Sequence, residues 1–251
     1  ALARDLDAAF AGPTPQVTSP QGRFAEGAAL LDGNRVVRAE AHGKHLLISF
    51  DHDLFLNVHL GLIGKFSITR FARPLPRPAW DDIPRTGQIR LRLVNECHVA
   101  DLRGPTLCAV ITPDEAAAVR GRLGPDPLQP DADPDLAWTR IQRSKRSIAE
   151  LLMDQSIIAG VGNVYRCEVL FRLRLSPFTP GADLRRRSWQ AIWADLVELM
   201  PLGVTSGRII TVPDDVEAAR AELAATGRIG PGERASSVYK RQSQPCPVCG
   251  A

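Results

Sequence analysis

The chain has 251 residues, 44% of them hydrophobic, and a formal net charge of +3, enough for two modest cores and the composition of an ordinary globular protein. It contains no run of 18 or more apolar residues, and residues 1–10 alternate charge with alanine rather than reading as a basic, apolar secretory leader, so a cytoplasmic location is expected. Five cysteines, an odd number, argue against a disulfide framework.

In chain order, residues 2–10 have helical spacing of apolar positions but no capping residue, which suggests a helix that starts before Ala1. Short apolar and β-branched runs follow at 36–41, 45–50, 54–60, 64–71, 89–94, 99–102 and 107–111, read as strands of an antiparallel sandwich. Turn-prone residues 51–53 and the proline-rich stretch 74–84 separate them. Helical periodicity begins after Thr112, a candidate cap. The Pro- and Asp-rich stretch 124–134 reads as a linker between a β-sandwich domain, residues 1–123, and a helical domain, residues 135–235. Helices are predicted at 134–143, 147–154, 163–173, 183–200 and 214–226, then a short strand at 238–241. The fold class is therefore α+β. Cys97, Cys108 and Cys167 read as small buried hydrophobes, whereas Cys246 and Cys249 form a Cys-x-x-Cys motif. Positive charge is local: residues 140–187 hold ten Arg or Lys against four acids, as phosphate neutralisation requires, although a solvated helical face has the same signature.

The most informative stretch is Gly160-Val161-Gly162-Asn163-Val164-Tyr165, preceded by Leu151-Leu152-Met153-Asp154. A dinucleotide loop would need a strand before it and a third glycine after it, and neither is present. The residues support a tight helix-to-helix turn in which Gly160 and Gly162 adopt angles closed to other residues and Asn163 caps the next helix. Free N–H groups and the positive end of that helix would make a phosphate site. A plain helical hairpin with an Asn cap satisfies the local sequence equally well.

These residues resemble the helix-two-turn-helix motif of the formamidopyrimidine-DNA glycosylase and endonuclease VIII family. Other motifs occur in the family's order. Gly43-Lys44-His45-Leu46-Leu47 resembles its catalytic-lysine strand, and His59-Leu60-Gly61-Leu62-Ile63-Gly64 its minor-groove loop. Leu123-Gly124-Pro125-Asp126-Pro127-Leu128 is similar to its interdomain segment. Val238-Tyr239-Lys240-Arg241 with Cys246 and Cys249 is similar to the entry of its zinc finger. Leu62 and the run Leu102-Arg103-Gly104-Pro105 place the chain nearer endonuclease VIII, and the second, actinobacterial type of it, which implies oxidised pyrimidines before purines.

The resemblance implies a monomeric, nucleoid-associated base-excision repair enzyme acting on damaged double-stranded DNA. An N-terminal proline amine would attack the sugar and form a Schiff base, strand elimination would follow, and a neighbouring glutamate would manage protons. No Pro-Glu pair precedes Ala1, which resembles the interior of the family's first helix. Both ends are therefore expected to be trimmed and residues 1–251 alone to be inactive. Lys44 would support proton transfer or hold the phosphate beside the sugar. Asn163, Gly160, Gly162, Lys145 and Tyr239 would grip the DNA backbone, and Arg122 would be a further contact. Leu62 and Arg103 would fill the gap left by the extruded base. Cys246 and Cys249 would be half of a structural zinc site within residues 236–251, since tetrahedral zinc needs four ligands. The five histidines lack the spacing to complete it. Two rival readings are a non-catalytic DNA-binding protein with the same grip and an unrelated lyase using Lys44 as its Schiff-base amine.

Overall fold

The computed structural model describes residues 1–246 and 250. The chain divides into two compact units, Ala1–Arg122 and Leu123–Ala251.

In the first unit, helix α1 (Leu2–Phe10) starts at Ala1 with no side-chain cap and buries Leu6 and Phe10, one helical turn apart on one face. Two elements with no clear sequence signal follow, strand β1 (Gln16–Thr18) and helix α2 (Ala25–Leu31). The predicted strands then appear in order: β2 (Val36–His42), β3 (His45–Phe50), β4 (Leu54–His59), β5 (Lys65–Arg70), β6 (Ile89–Val94), β7 (His98–Arg103) and β8 (Leu107–Ile111). They form two four-stranded sheets, ordered β1-β6-β7-β5 and β2-β3-β4-β8, with every pairing antiparallel. One buried cluster takes Leu46, Ile48, Leu56 and Val58 from one sheet, Leu91, Leu93, Ala100 and Leu102 from the other, and Leu6, Phe10 and Leu31 from the helices. At about 1.5–3 kcal/mol for each large apolar side chain taken from water, this cluster is what holds the sheets together. Helix α3 (Pro113–Gly121) begins with the expected Thr112 cap, made reciprocal by Glu115.

The second unit packs helices α4 (Pro134–Ile141), α5 (Ile148–Leu151), α6 (Asn163–Arg172), α7 (Arg186–Ser206) and α8 (Pro213–Thr226) around Trp189, Ile192, Leu196 and Leu199. Helix α5 is a single turn, capped reciprocally by Ser147 and Glu150, and is shorter than its sequence pattern suggests. Helix α7 runs through Pro201 instead of stopping at Met200, because a proline removes one N–H donor and need not end a helix whose apolar face is buried. The stretch read as a linker begins bonded to this unit: Gly124 N–H donates to Gln155 O at 2.8 Å and Ala159 N–H to Pro125 O at 3.0 Å.

The strand predicted at 238–241 does not form. Its N–H groups are captured instead by the buried carboxylate of Glu168, which accepts from Ser237, Val238 and Tyr239 at 2.8–2.9 Å, and Lys240 turns into the left-handed region (φ +58°). Cys97, Cys108 and Cys167 are half-buried rather than buried; burial pushes the Cys108 thiol up to about 12. No helix among the described residues is long and apolar enough to cross a membrane.

Candidate nucleic-acid interface

In the helical unit, the chain leaves α5, makes a compact turn and enters α6. Gln155, which sequence reasoning missed, organises this turn. Its side-chain carbonyl accepts from Gly160 N–H at 3.0 Å, while its amide donates to Val161 O at 3.0 Å and Met153 O at 3.2 Å. A glutamine five residues before a glycine is too common a pattern to be noticed without the fold. Gly160 has φ +82°, a backbone conformation that residues with a Cβ rarely adopt, so the turn favours glycine there. Gly162 is different: at φ −124° and ψ −177° it is ordinary extended backbone, and it, not Asn163, is the N-cap of α6. Asn163 is exposed at the first helical position, where its side-chain oxygen accepts from the Arg166 guanidinium. The cap prediction fails because a residue already inside the helix cannot turn its side chain back onto the N–H groups that follow. Among the described residues no side chain caps α6. Its first N–H groups therefore have no partner on the helix or on a capping side chain among the described residues, and a carboxamide and a guanidinium stand beside them. Lys145, exposed just before α5, adds charge to the same unit.

In the β unit, Lys44 sits not in a strand but in the two-residue turn between β2 and β3, where Gly43 (φ +56°) and the His42–His45 pair close the hairpin. Partial burial lowers the affinity of its amine for a proton. The register pairs His45 with His59, and their rings meet edge-to-face at 5.2 Å. His45 Nδ1 lies 3.1 Å from the side-chain oxygen of buried Asn57. His59 Nδ1 lies 3.1 Å from Gly61 N and 2.9 Å from the Thr106 hydroxyl, which itself donates to His59 O. Burial first, then the nearby His45 and Lys44, keep His59 less basic than a free imidazole. An amine and two imidazoles thus gather at one end of a sheet, and the signal was available only as register: a histidine fourteen residues after another across one hairpin.

Immediately beyond His59 the chain makes a tight turn, bent by Gly61 (φ +69°), that leaves Leu62 and Ile63 fully or nearly fully exposed (102% and 87%). Two adjacent bare aliphatic side chains on a hydrogen-bonded turn are an apolar tip awaiting a partner. Arg103 is not free in the same way. Its Nε donates to Thr86 O and its Nη2 to Asp101, both at 2.9 Å, so its guanidinium is docked along the sheet. Arg122 is exposed at the C-cap of α3 and Tyr239 is half-buried in the segment held by Glu168. Cys246 lies at the end of that segment; Cys249 lies outside the described residues. No group of three or more His, Cys, Asp or Glu side chains that could hold a metal occurs among the described residues.

An uncapped helix start with a carboxamide at its mouth has the chemistry to receive an anion. Comparison with known proteins gives the family. The formamidopyrimidine-DNA glycosylase N-terminal domain matches residues 8–108, and the formamidopyrimidine-DNA glycosylase H2TH domain matches residues 123–214. Endonuclease 8 1 of Mycobacterium tuberculosis (strain ATCC 25618 / H37Rv) is 46% identical over 254 aligned positions, covering 99% of this chain and 89% of that protein. The formamidopyrimidine-DNA glycosylase of Geotalea uraniireducens (strain Rf4) is 28% identical, covering 89% and 77%. Among solved structures, the Lactococcus lactis enzyme in complex with a FAPY-dG-containing DNA superposes with a TM-score of 0.77 at 21% identity, over all of this chain and 89% of the other. The same enzyme bound non-covalently to DNA containing an AP site gives 0.73 at 19%. The chain belongs to the formamidopyrimidine-DNA glycosylase and endonuclease VIII family. Its mycobacterial relatives carry the ordinal one, not two, in their names.

Proposed function

We propose that this chain is the DNA-gripping body of a base-excision repair glycosylase with AP lyase activity, which extrudes oxidised bases, pyrimidines before purines, from duplex DNA. The observation that carries the proposal is the start of α6: uncapped N–H groups, Asn163 and Arg166 at the mouth of a turn locked by Gln155 and Gly160. Backbone amides and a positive helix end hold a phosphate whatever base is attached, and Lys145 adds charge on the same unit, while Arg122 and Tyr239 are assigned backbone contacts of their own.

Extrusion of a base leaves a hole and a partner base without its pair, at an unstacking cost of about a few kcal/mol. Leu62 is bare, and an aliphatic wedge inserted there is partly repaid by its own burial. Arg103 would first have to leave Asp101 and Thr86, which makes Leu62 the wedge and Arg103 the donor that follows it. The leucine at the tip and the kinship with an Endonuclease 8 favour pyrimidine lesions. Schiff-base chemistry is assigned to an N-terminal proline amine. Lys44, in reach of His45 and His59, is assigned to moving a proton or holding the phosphate next to the reacting sugar, a role its lowered proton affinity suits. Cys246 and Cys249 are assigned to a structural zinc, for which the described residues do not assemble a ligand set, so no step is routed through the metal.

Asn163→Ala tests the grip. Affinity for damaged and undamaged duplexes should fall together, by about tenfold, as the loss of a phosphate contact without base information requires. Fluorescence anisotropy with matched lesion-containing and intact duplexes reads both, and a loss confined to one lesion would contradict the assignment.

A further inference from the structure

Segment 234–241 of the helical unit forms a cationic cup that the α6 start does not use. A concavity of about 390 Å³ is lined by Arg234, Ser236, Tyr239, Lys240, Arg241 and Gln244, with no carboxylate in its wall. Arg234 lies 5.4 Å and Lys240 5.7 Å from the centroid of the Tyr239 ring. None of the three cations makes an ion pair among the described residues, and the buried Nε of Arg241 has no hydrogen-bond partner there. Like charges gathered around one hollow repel each other, so their arrangement has to be enforced. Glu168 enforces it, holding Ser237, Val238 and Tyr239 by their N–H groups, and Lys240 is set in place by its left-handed backbone.

Because the cup is polar, cationic and donor-rich, its ligand is an anion of compact oxygens rather than an apolar body. An aromatic ring already engaged by two cations is a poor platform for stacking a base, which points to the backbone of a nucleic acid and not to its bases. The cup is tied to the helix that carries the amide site, because Glu168, which holds its backbone, lies on α6.

We propose that Arg234, Lys240 and Arg241 bind a second phosphodiester group of the same duplex whose first phosphate is received at the start of α6. This rests on the reading of the chain as a DNA-binding protein and adds to it a second, separately removable charge contact, with Glu168 as its positioning residue.

The test is the salt dependence of duplex binding. Each phosphate neutralised contributes a slope of about −0.9 to the plot of log affinity against log salt. The double variant Arg234→Ala/Lys240→Ala should lose about one unit of that slope and about tenfold in affinity at moderate salt, for intact and abasic-analogue duplexes alike. Asn163→Ala, which removes a neutral contact, should weaken binding with the slope unchanged. A control, Arg35→Ala/Arg38→Ala, removes the same net charge from the β unit and should leave the slope as it is. A wild-type slope in the Arg234/Lys240 variant, or an equal loss in the control, overturns the cup while leaving duplex binding by the native chain intact. If the native chain binds no duplex, both readings fall. Inorganic phosphate alone, titrated by ³¹P line broadening, should show no saturable binding at millimolar concentrations; saturable binding abolished in the double variant would assign a free anion and overturn the duplex assignment.

Discussion

Glu168→Ala should destabilise the helical unit by on the order of 3–5 kcal/mol, a large share of the stability of any domain. Glu168 is 0% exposed and its carboxylate accepts four hydrogen bonds: from the N–H groups of Ser237, Val238 and Tyr239 and, at 3.3 Å, from the hydroxyl of buried Thr211. Removing the acceptor leaves at least two buried donors, Ser237 N–H and the Thr211 hydroxyl, without a partner, at about 1–3 kcal/mol each, and opens a cavity besides. Glu168→Gln keeps the shape but turns an amino group toward N–H donors, so an intermediate loss is expected. Urea denaturation measures the loss of stability. Limited trypsinolysis measures its location, because cleavage after Arg234, Lys240 and Arg241 should accelerate before the rest of the unit opens. Unchanged stability together with unchanged cleavage would show that the segment is held by something else.

Arg92→Ala should cost the β unit a similar amount, about 3–5 kcal/mol. Arg92 is 2% exposed in the middle of β6. Its guanidinium makes a two-pronged pair with Asp101 at 2.7 and 2.9 Å and donates to Ile83 O and Pro84 O at 2.9 Å, pinning the proline-rich stretch to the sheet. Without it, the buried Asp101 keeps Arg103 as its one charged partner among the described residues, and two carbonyls lose their donor. Breaking a buried pair is far more damaging than replacing it, so Arg92→Met/Asp101→Leu should be less destabilising than Arg92→Ala alone. If the double change proves the worse of the two in denaturant titrations, the pair is not the dominant interaction at that position.

Both residues show where sequence reasoning stops. The strand 89–94 was legible from its apolar runs, but the buried arginine within it was not, since its partner lies on β7 and only the register brings Asp101 opposite Arg92. Glu168 sits on a helix whose spacing announced it, yet nothing in the helix signals a bond to main chain about seventy residues away. That same bond explains why 238–241 failed as a strand: β-branched and aromatic residues favour extension, and a buried carboxylate outcompeted a neighbouring strand for their N–H groups. Strand β1 and helix α2 were missed because three and seven residues are too few to show a period. The glycine turn was read in outline, and Gly160 bears it out with φ +82°; the cap was misplaced by one residue, and Gln155 was invisible because its function is to bond backbone that only the folded turn presents. Lys44 and Leu62 were singled out through motifs rather than periodicity. The two are found, respectively, in a hairpin turn beside two histidines and on a bare apolar tip.

The claim on which the rest depends is that uncapped main-chain N–H groups at the start of α6 receive a sugar-phosphate strand. Equilibrium binding of the 251-residue chain to a duplex carrying a single tetrahydrofuran abasic analogue, titrated from low to physiological salt, tests it most directly. Saturable binding at low ionic strength, with log affinity falling linearly as log salt rises, is the predicted result. A folded chain with no measurable affinity for that duplex at low ionic strength would contradict it.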